Sequence, residues 1–360
     1  MNAAEADPPG LRLTAVGEWL RRSGVPFGTD GRPSAVLLPA GRSNLTYRIS
    51  DGTGRDLIVR RAPLGHLMPS AHDMQREFRV LTGLFSIGFP VPEPIALCDD
   101  ESITGTAFQV MEFVEGRVIA DARAASDLGP AQASASSAAL VDTLADLHRV
   151  DAAGAGLHDL GRPAGYLPRQ VRRWADQWTR TSLRELADLA ALGDWLESRV
   201  DRLPSDLPWA IVHGDYRVDN VILDPTEPRI RAVVDWEMAT LGDPVLDLAT
   251  FLVYWSQSDD GERASLPVAQ HITTGPGFPD RRTLIERYAR GSGLPLDHLD
   301  FCAALACYKL AVIMESIAFR ARAGQQLGTG GAENMSAATE VLARIGLAVT
   351  RLGVEAGLRY

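Results

Sequence analysis

The hydrophobic pattern of this chain changes period near Glu115-Gly116, and that change narrows the architectures open to it. Before it, the apolar and β-branched residues fall in short runs: Val36-Leu-Leu38, Thr46-Tyr-Arg-Ile49, Leu57-Ile-Val-Arg60, Ile95-Ala-Leu-Cys98 and Ala107 to Phe113. Runs of that length bounded by turn residues predict strands, and Asp51-Gly-Thr-Gly54 between two of them predicts a hairpin. One helix interrupts the series, marked by Met74, Phe78, Leu81 and Phe85 at helical spacing, and another precedes it, with Leu13, Val16 and Leu20 ended by Gly24 and Pro26. The order strand-strand-strand-helix-strand-strand describes an α+β unit.

Beyond Gly116 the period is helical. Leu140, Leu144 and Leu147 stripe one helix, and Val171, Trp174 and Trp178 another; helical texture returns at Val245–Trp255 and dominates from Phe301 to Leu352. The Ala/Ser-rich stretch 121–140 reads as a helix entry. A short island of strands at Trp209–Val212, Val221-Ile-Leu223 and Ala232-Val-Val234 breaks the pattern. A chain of 360 residues suits two packed lobes. The expected division is a small β-rich lobe over residues 1–115 and a larger, mainly helical one over 116–360.

Charge narrows the partners. With 36 Lys+Arg against 46 Asp+Glu the net charge is −10. This argues against nucleic acid, which needs clustered cations to displace counterions, and against docking on an anionic membrane. The longest apolar run, Phe301 to Phe319, is interrupted by Lys309 and Glu315 and reads as a buried core helix. Cys98, Cys302 and Cys307 make an odd count with no metal-ligand spacing, and positions 302 and 307 project about 140° apart around a helix. They are expected to be buried thiols in a reducing cytoplasm, and no signal segment is visible at the N-terminus. Lys309 is the only lysine, leaving 35 arginines, so any phosphate-binding cation in the first half must be an arginine.

The strand island carries the chemistry: His213-Gly-Asp-Tyr-Arg-Val-Asp-Asn220, followed by Val233-Val-Asp-Trp236. Asp215 falls on a loop directly after an apolar strand, Asn220 lies just before the next strand, and Asp235 ends a third. Any one of these alone is an ordinary turn residue. Together, two hard oxygen donors at neighbouring strand ends can share a Mg²⁺ with phosphate oxygens, and a third carboxylate can orient an attacking hydroxyl and accept its proton.

These residues resemble the catalytic signature of the aminoglycoside phosphotransferase and choline kinase superfamily, small-molecule kinases with a two-lobed α+β, protein-kinase-like fold. Gly214 and Trp236 stand where protein kinases carry His-Arg-Asp and Asp-Phe-Gly residues, which favours the small-molecule branch. The resemblance implies ATP and Mg²⁺, with Asp215 as catalytic base, Asn220 and Asp235 as metal ligands, and His213 bracing the loop. It extends to Gly41-Arg-Ser-Asn-Leu-Thr-Tyr47, whose backbone N–H groups, Ser43 and Asn44 would meet phosphate; as residues alone, this is equally a hairpin loop. Arg60 ends the third strand where kinases place lysine. Strand alternation favours it over Arg61 as the phosphate cation, and Glu77 on the following helix is its natural partner, the alternative being a solvated carboxylate. Gln109-Val-Met-Glu-Phe-Val-Glu-Gly116 resembles the hinge, with Glu112 to Val114 facing adenine, although Met111 and Phe113 also suit a core. Asp243 and Asp247 of Gly242-Asp-Pro-x₂-Asp-Leu-Ala249 read as structural.

A subgroup resemblance follows. Arg60-Arg-Ala-Pro-x-Gly-His-x₂-Pro-Ser-Ala-His72, Arg76-Glu-Phe-Arg79, Pro90-Val-Pro92, Arg169-Gln-x₂-Arg-Trp174 and Tyr308-Lys-Leu-Ala-Val-Ile-Met-Glu315 are similar to phosphotransferase domains associated with acyl-CoA dehydrogenases. This implies a hydroxyacyl-CoA-type hydroxyl acceptor and a separate acyl-CoA dehydrogenase as partner. Arg169 and Arg173, one helical turn apart, could serve an anionic CoA or simply form a solvated basic face. The rival readings are an aminoglycoside or other antibiotic O-phosphotransferase, and a nucleotide-binding pseudokinase that regulates a partner.

Overall fold

The computed structural model describes residues 7–28, 32–38, 44–63, 73–182, 184–267, 271–322 and 332–360. The chain divides into two compact units, Met1–Gly116 with Ala153–Leu157 and Arg231–Ala239, and the remainder, Arg117–Ala152, His158–Ile230 and Thr240–Tyr360.

In the first unit, helix α1 (Leu13–Arg22) precedes β1 (Ser34–Leu37), β2 (Leu45–Ser50) and β3 (Asp56–Arg61). Helix α2 (Met74–Ser86), β4 (Pro94–Cys98), the single-turn helix α3 (Glu101–Thr104) and β5 (Phe108–Glu112) complete it. The five strands form one antiparallel sheet in the order β1-β2-β3-β5-β4. The expected hairpin joins β2 to β3: Asp51 Oδ1 accepts from the Thr53 and Arg55 amides, the self-bonding turn that aspartate favours. Leu13, Val16 and Leu20 of α1 pack with Tyr47, Ile49, Leu57, Val59, Phe108 and Val110 in one buried cluster. The Trp19 ring stands edge-on to Phe108 at 5.0 Å.

Helix α2 differs from expectation. Its buried positions are Met74, Glu77, Val80, Leu81, Gly83 and Leu84, whereas Phe85, expected on the inner stripe, is exposed. The physical reason is the carboxylate at Glu77, which is turned inward by a cationic partner on β3 and sets the helix rotation that faces Val80 and Leu84 to the core.

The second unit opens with β6 (Arg117–Val118), α4 (Ala122–Ser126), α5 (Gly129–His148), α6 (Tyr166–Thr181) and α7 (Ala187–Val200). Strands β7 (Ala210–Val212) and β8 (Val221–Leu223) follow, and the chain passes into the first unit within β9 (Ile230–Val233). It returns at β10 (Thr240–Gly242), then forms α8 (Pro244–Tyr254), α9 (Arg281–Ser292), α10 (Leu299–Arg322) and α11 (Ala332–Gly357). Here β7 pairs with β10 and β8 with β6, both antiparallel. Helix α10 is long and apolar enough to cross a bilayer, but 89% of its apolar window is buried inside the protein. It is the core helix of this unit, packed against α6, α7, α8 and α11.

Candidate functional site

Asp215 sits on the loop between β7 and a 3₁₀ turn at Val218–Asn220. The loop reverses at Gly214, whose φ of 82° is a left-handed conformation that glycine adopts without steric cost. Each backbone group of this turn is held. The His213 and Gly214 amides donate to the two oxygens of Asp247 at 2.7 and 2.8 Å, and the Asp215 amide donates to His213 Nδ1 at 3.2 Å. Lys309 Nζ donates to the Gly214 carbonyl at 2.7 Å. Thus His213 and Asp247 act on the backbone, as the sequence suggested, and both are buried. Burial would raise the Asp247 pKa, but hydrogen bonding and charge from His148, together with His213, outweigh it and hold the carboxyl below its usual range. His148 is in turn fixed by the Tyr288 hydroxyl, 2.6 Å from its Nδ1.

The Asp215 carboxylate is surrounded by donors. Tyr254, at the end of α8, donates its hydroxyl to Oδ1 at 2.9 Å, and Asn220 Nδ2 donates to the Asp215 carbonyl at 2.9 Å and to Oδ2 at 3.4 Å. The Asn220 amide oxygen takes no hydrogen bond among the described residues, so it is available to a cation. Arg217 Nε lies 3.8 Å from Asp215 Oδ2, its guanidinium covers the Tyr254 ring at 4.9 Å, and its other end pairs with Asp219. Nε itself is buried without a hydrogen-bond partner among the described residues. Burial raises the Tyr254 pKa and Asp215 raises it further, so the phenol stays a donor. Burial works against charge on Arg217, but Asp215, Tyr254 and Asp219 reverse that and leave its pKa raised. Lys309 lies 6.0 Å from the Trp174 ring, and burial lowers its pKa against the pull of Asp215 and Asp247.

In the first unit a second grouping forms around Arg60. Its Nε lies 3.1 Å from the Glu77 carboxylate, Nη1 donates to Thr46 Oγ1 at 3.4 Å, and Nη2 contacts Asp235 directly and lies 3.8 Å from Glu237. Burial disfavours the guanidinium charge, but Glu77, Asp235 and Glu237 more than offset it and push the Arg60 pKa up. Burial also pushes the Glu77 carboxyl up, with Arg60 pulling against it. Arg61 projects elsewhere and donates to the carbonyls of Gly10 and Thr104 at 2.5 and 2.6 Å. Strand alternation therefore does separate the two arginines.

Asp235 follows β9 in the left-handed conformation, φ 70°, uncommon outside glycine and costly unless the surroundings impose it. They do: the Val233 amide donates to the Pro90 carbonyl at 2.8 Å, the Trp236 indole donates to the Val233 carbonyl at 2.9 Å, and Arg76 Nη2 donates to the Ala239 carbonyl at 2.9 Å. Trp236 is itself buried edge-on against Phe89 at 6.0 Å.

The structure thus brings Asp215 together with Asn220, and Arg60 with Glu77 and Asp235. Asn44 joins the latter set, donating to Glu237 at 2.8 Å. Glu112 ends β5 exposed, and Val114 follows outside any helix or strand, with no hydrogen bond to its backbone among the described residues. Ser43 and the rest of its turn, residues 41–43, lie outside the described residues. Arg169 donates to the carbonyls of Arg162 and Ala164, so it serves the start of α6, while Arg173 lies over the Trp174 ring at 5.3 Å. Sequence reasoning missed Tyr254, Glu237 and the roles of Arg217 and Lys309. A lone ammonium in an apolar helix was a usable signal for Lys309, because a buried charge requires a partner.

Comparison with known proteins bears on this arrangement. A profile described as the phosphotransferase enzyme family matches residues 34–286. Acyl-CoA dehydrogenase family member 11 of Gallus gallus is 38% identical over 299 residues, 82% of this chain and 38% of that protein. The chain therefore spans a little over a third of the length of such curated relatives. Among solved structures, a candidate aminoglycoside phosphotransferase of Ralstonia eutropha is 31% identical with a TM-score of 0.75, covering 93% of this chain and 97% of that one. A thermostable mutant aminoglycoside phosphotransferase, solved with AMP-PNP and hygromycin B, is 17% identical with a TM-score of 0.60, covering 92% and 98%, and is alike in fold. The fold class is α+β and kinase-like, with a small sheet-bearing part and a larger, mainly helical one.

Proposed function

The chain belongs to the phosphotransferase enzyme family and is a phosphotransferase with an alcohol group as acceptor; from that premise we propose that it transfers the γ-phosphoryl group of ATP to a hydroxyl of a hydroxyacyl-CoA-type acceptor. Asp215 accepts the hydroxyl proton as the acceptor oxygen bonds to phosphorus and ADP departs. Tyr254 and Asn220 fix the carboxylate in one orientation, which reduces the reorganisation needed at that moment. The free amide oxygen of Asn220 and the carboxylate of Asp235 are hard donors of the kind Mg²⁺ requires, so these two residues would hold it. When bound, the ion would offset charge on the phosphates. Arg60, kept cationic and anchored through Nε by Glu77, would present its remaining N–H groups to phosphate oxygens as a fork, and the uncommitted Val114 backbone would serve adenine.

The observation that carries the acceptor class is the cationic setting of Asp215. Arg217 lies 3.8 Å from it, and Lys309 donates to the carbonyl of the preceding residue. Cations around Asp215 disfavour a cationic aminoglycoside there, whereas the hydroxyl end of an acyl-CoA carries no positive charge and meets no such repulsion. The similarity to acyl-CoA dehydrogenase family members supports the same choice, with a separate dehydrogenase as partner in the cytoplasm. The deciding experiment incubates the purified chain with ATP, Mg²⁺ and either hydroxyacyl-CoAs or aminoglycosides. Mass spectrometry should find one added phosphoryl group on the CoA compounds; phosphorylation confined to aminoglycosides would reverse the acceptor assignment.

The same assay tests Arg60. Arg60→Ala should lower kcat/KM for ATP by about 10–100-fold, the scale of losing one or two charge-assisted bonds to phosphate, with the acceptor KM little changed. Unaltered ATP kinetics would remove Arg60 from nucleotide binding.

A further inference from the structure

We propose that Asp243, His298 and Cys302 form a buried site for a zinc-class divalent transition metal ion, distinct from the residues assigned to phosphoryl transfer. Their donor atoms, a carboxylate oxygen, an imidazole nitrogen and a thiol sulfur, all lie within 4.8 Å of one another. The residues are 3%, 6% and 0% exposed. Cysteine spacing alone gave no hint of this, because the other two donors come from elsewhere in the chain.

The fold explains how they meet. Asp243 closes β10 and caps α8, accepting from the Val245 amide through Oδ1 at 2.8 Å, while its Oδ2 faces His298 Nε2 at 2.9 Å. His298 immediately precedes α10 and accepts the Cys302 amide on its carbonyl at 3.0 Å. The two side chains therefore stand one helical turn apart on the same side. The cap uses one carboxylate oxygen; the other is paired with His298 Nε2, so an ion would replace that hydrogen bond, with the imidazole proton moving to Nδ1.

The donor set decides the ion class. Mixed N, O and S ligands suit Zn²⁺, Co²⁺ or Fe²⁺ in tetrahedral geometry, whereas Mg²⁺ takes oxygen alone. The Cys302 thiol makes no hydrogen bond among the described residues, and burial, with Asp243 beside it, pushes its pKa up. Binding therefore exchanges one thiol proton for the metal, forming a metal–thiolate bond and releasing H⁺ to solvent. Of the three ligands, Asp243 borders a cavity of about 920 Å³, lined also by Tyr166, Leu203 and Trp209 among others. Tyr166 packs on Gly242 so closely that a Cβ there would fall 2.6 Å from its ring. The cavity can supply water as a fourth ligand through the Asp243 side. One turn along α8 from Asp243 is Asp247, which receives the His213 and Gly214 amides. A bound ion would thus tie the start of α10 to the helix that holds the catalytic loop.

The test is a Co²⁺ titration of the whole purified chain with Mg²⁺ in excess. We expect about one equivalent bound, with a near-ultraviolet thiolate-to-cobalt absorption and the intense visible bands of a tetrahedral ion. Cys302→Ser should lose the thiolate band, and His298→Ala, which keeps all three thiols, should weaken cobalt affinity at least about tenfold, since even an outer partner of a ligand commonly counts for that much. A wild-type chain that gives no thiolate band overturns the proposal, as does a band that persists at wild-type affinity in both variants.

Discussion

Asp215→Asn is expected to cut kcat by about 10²–10⁴-fold, the range attributable to a positioned general base, while ATP affinity changes little. The substitution is informative because it keeps the shape of the site. An asparagine oxygen can still accept the Tyr254 hydroxyl, and the Asn220 bond to the backbone carbonyl at 2.9 Å does not involve the replaced group. The loop is held by Asp247, His213 and Lys309 through main-chain contacts that the variant leaves in place. What disappears is the negative charge that receives the acceptor proton. Steady-state turnover and a direct ATP-binding titration, run on the same preparation, separate the two effects. Full turnover in Asp215→Asn would remove this carboxylate from the chemistry. A variant inert in turnover that still regulates a partner would favour the pseudokinase reading.

A comparably large effect, on stability, is expected at Asp260. Two fully buried arginines converge on it: Arg263 through Nε at 3.0 Å, and Arg281 through Nη1 and Nη2 at 2.8 and 2.6 Å. The same carboxylate accepts the Gln257 amide at 2.8 Å. Burial and the neighbouring Arg281 push the Arg263 pKa down, against an upward pull led by Asp260 with a smaller one from Cys307. Among the described residues no other carboxylate pairs with either arginine. Asp260→Ala would therefore strand two buried cations with only carbonyls for company, those of Val253, Trp255 and Leu252. The expected loss is about 3–5 kcal/mol, the usual consequence of removing one partner from a buried ionic cluster. It should appear as a lower urea midpoint with an unchanged slope. A midpoint equal to that of the parent chain would mean that the arginines find other compensation.

The parts of this structure that could be read from the amino acids are those with a local period. Alternation along Leu57-Ile-Val-Arg60 separated Arg60 from Arg61, and the two now lead to Glu77 and to backbone carbonyls respectively. Helical spacing of Leu140, Leu144 and Leu147 marked the inner face of α5, where all three are buried. The rotation of α2 was misjudged because the pattern counts apolar residues, and at Glu77 an ion pair brings a carboxylate inward while Phe85 is left at the surface. Other features have no local signal at all. Tyr254 reaches Asp215 across 39 positions, Arg281 reaches Asp260 across 21, and His298 reaches Asp243 across 55. Such pairings depend on which helix ends the fold brings together. Lys309 lies between these cases: its isolation in an apolar helix announced a buried charge, but not that the charge would serve the Gly214 carbonyl.

That solitary amine gives the protein an unusual surface chemistry. Every other Lys or Arg position is a guanidinium, and Lys309 is only 8% exposed. Acylating reagents and amine-coupling surfaces should therefore find no ready side-chain target on the native molecule. Once the chain opens, a single ε-amine becomes reactive, so the rate of its capture would clock unfolding one event at a time, without a dye or an engineered label.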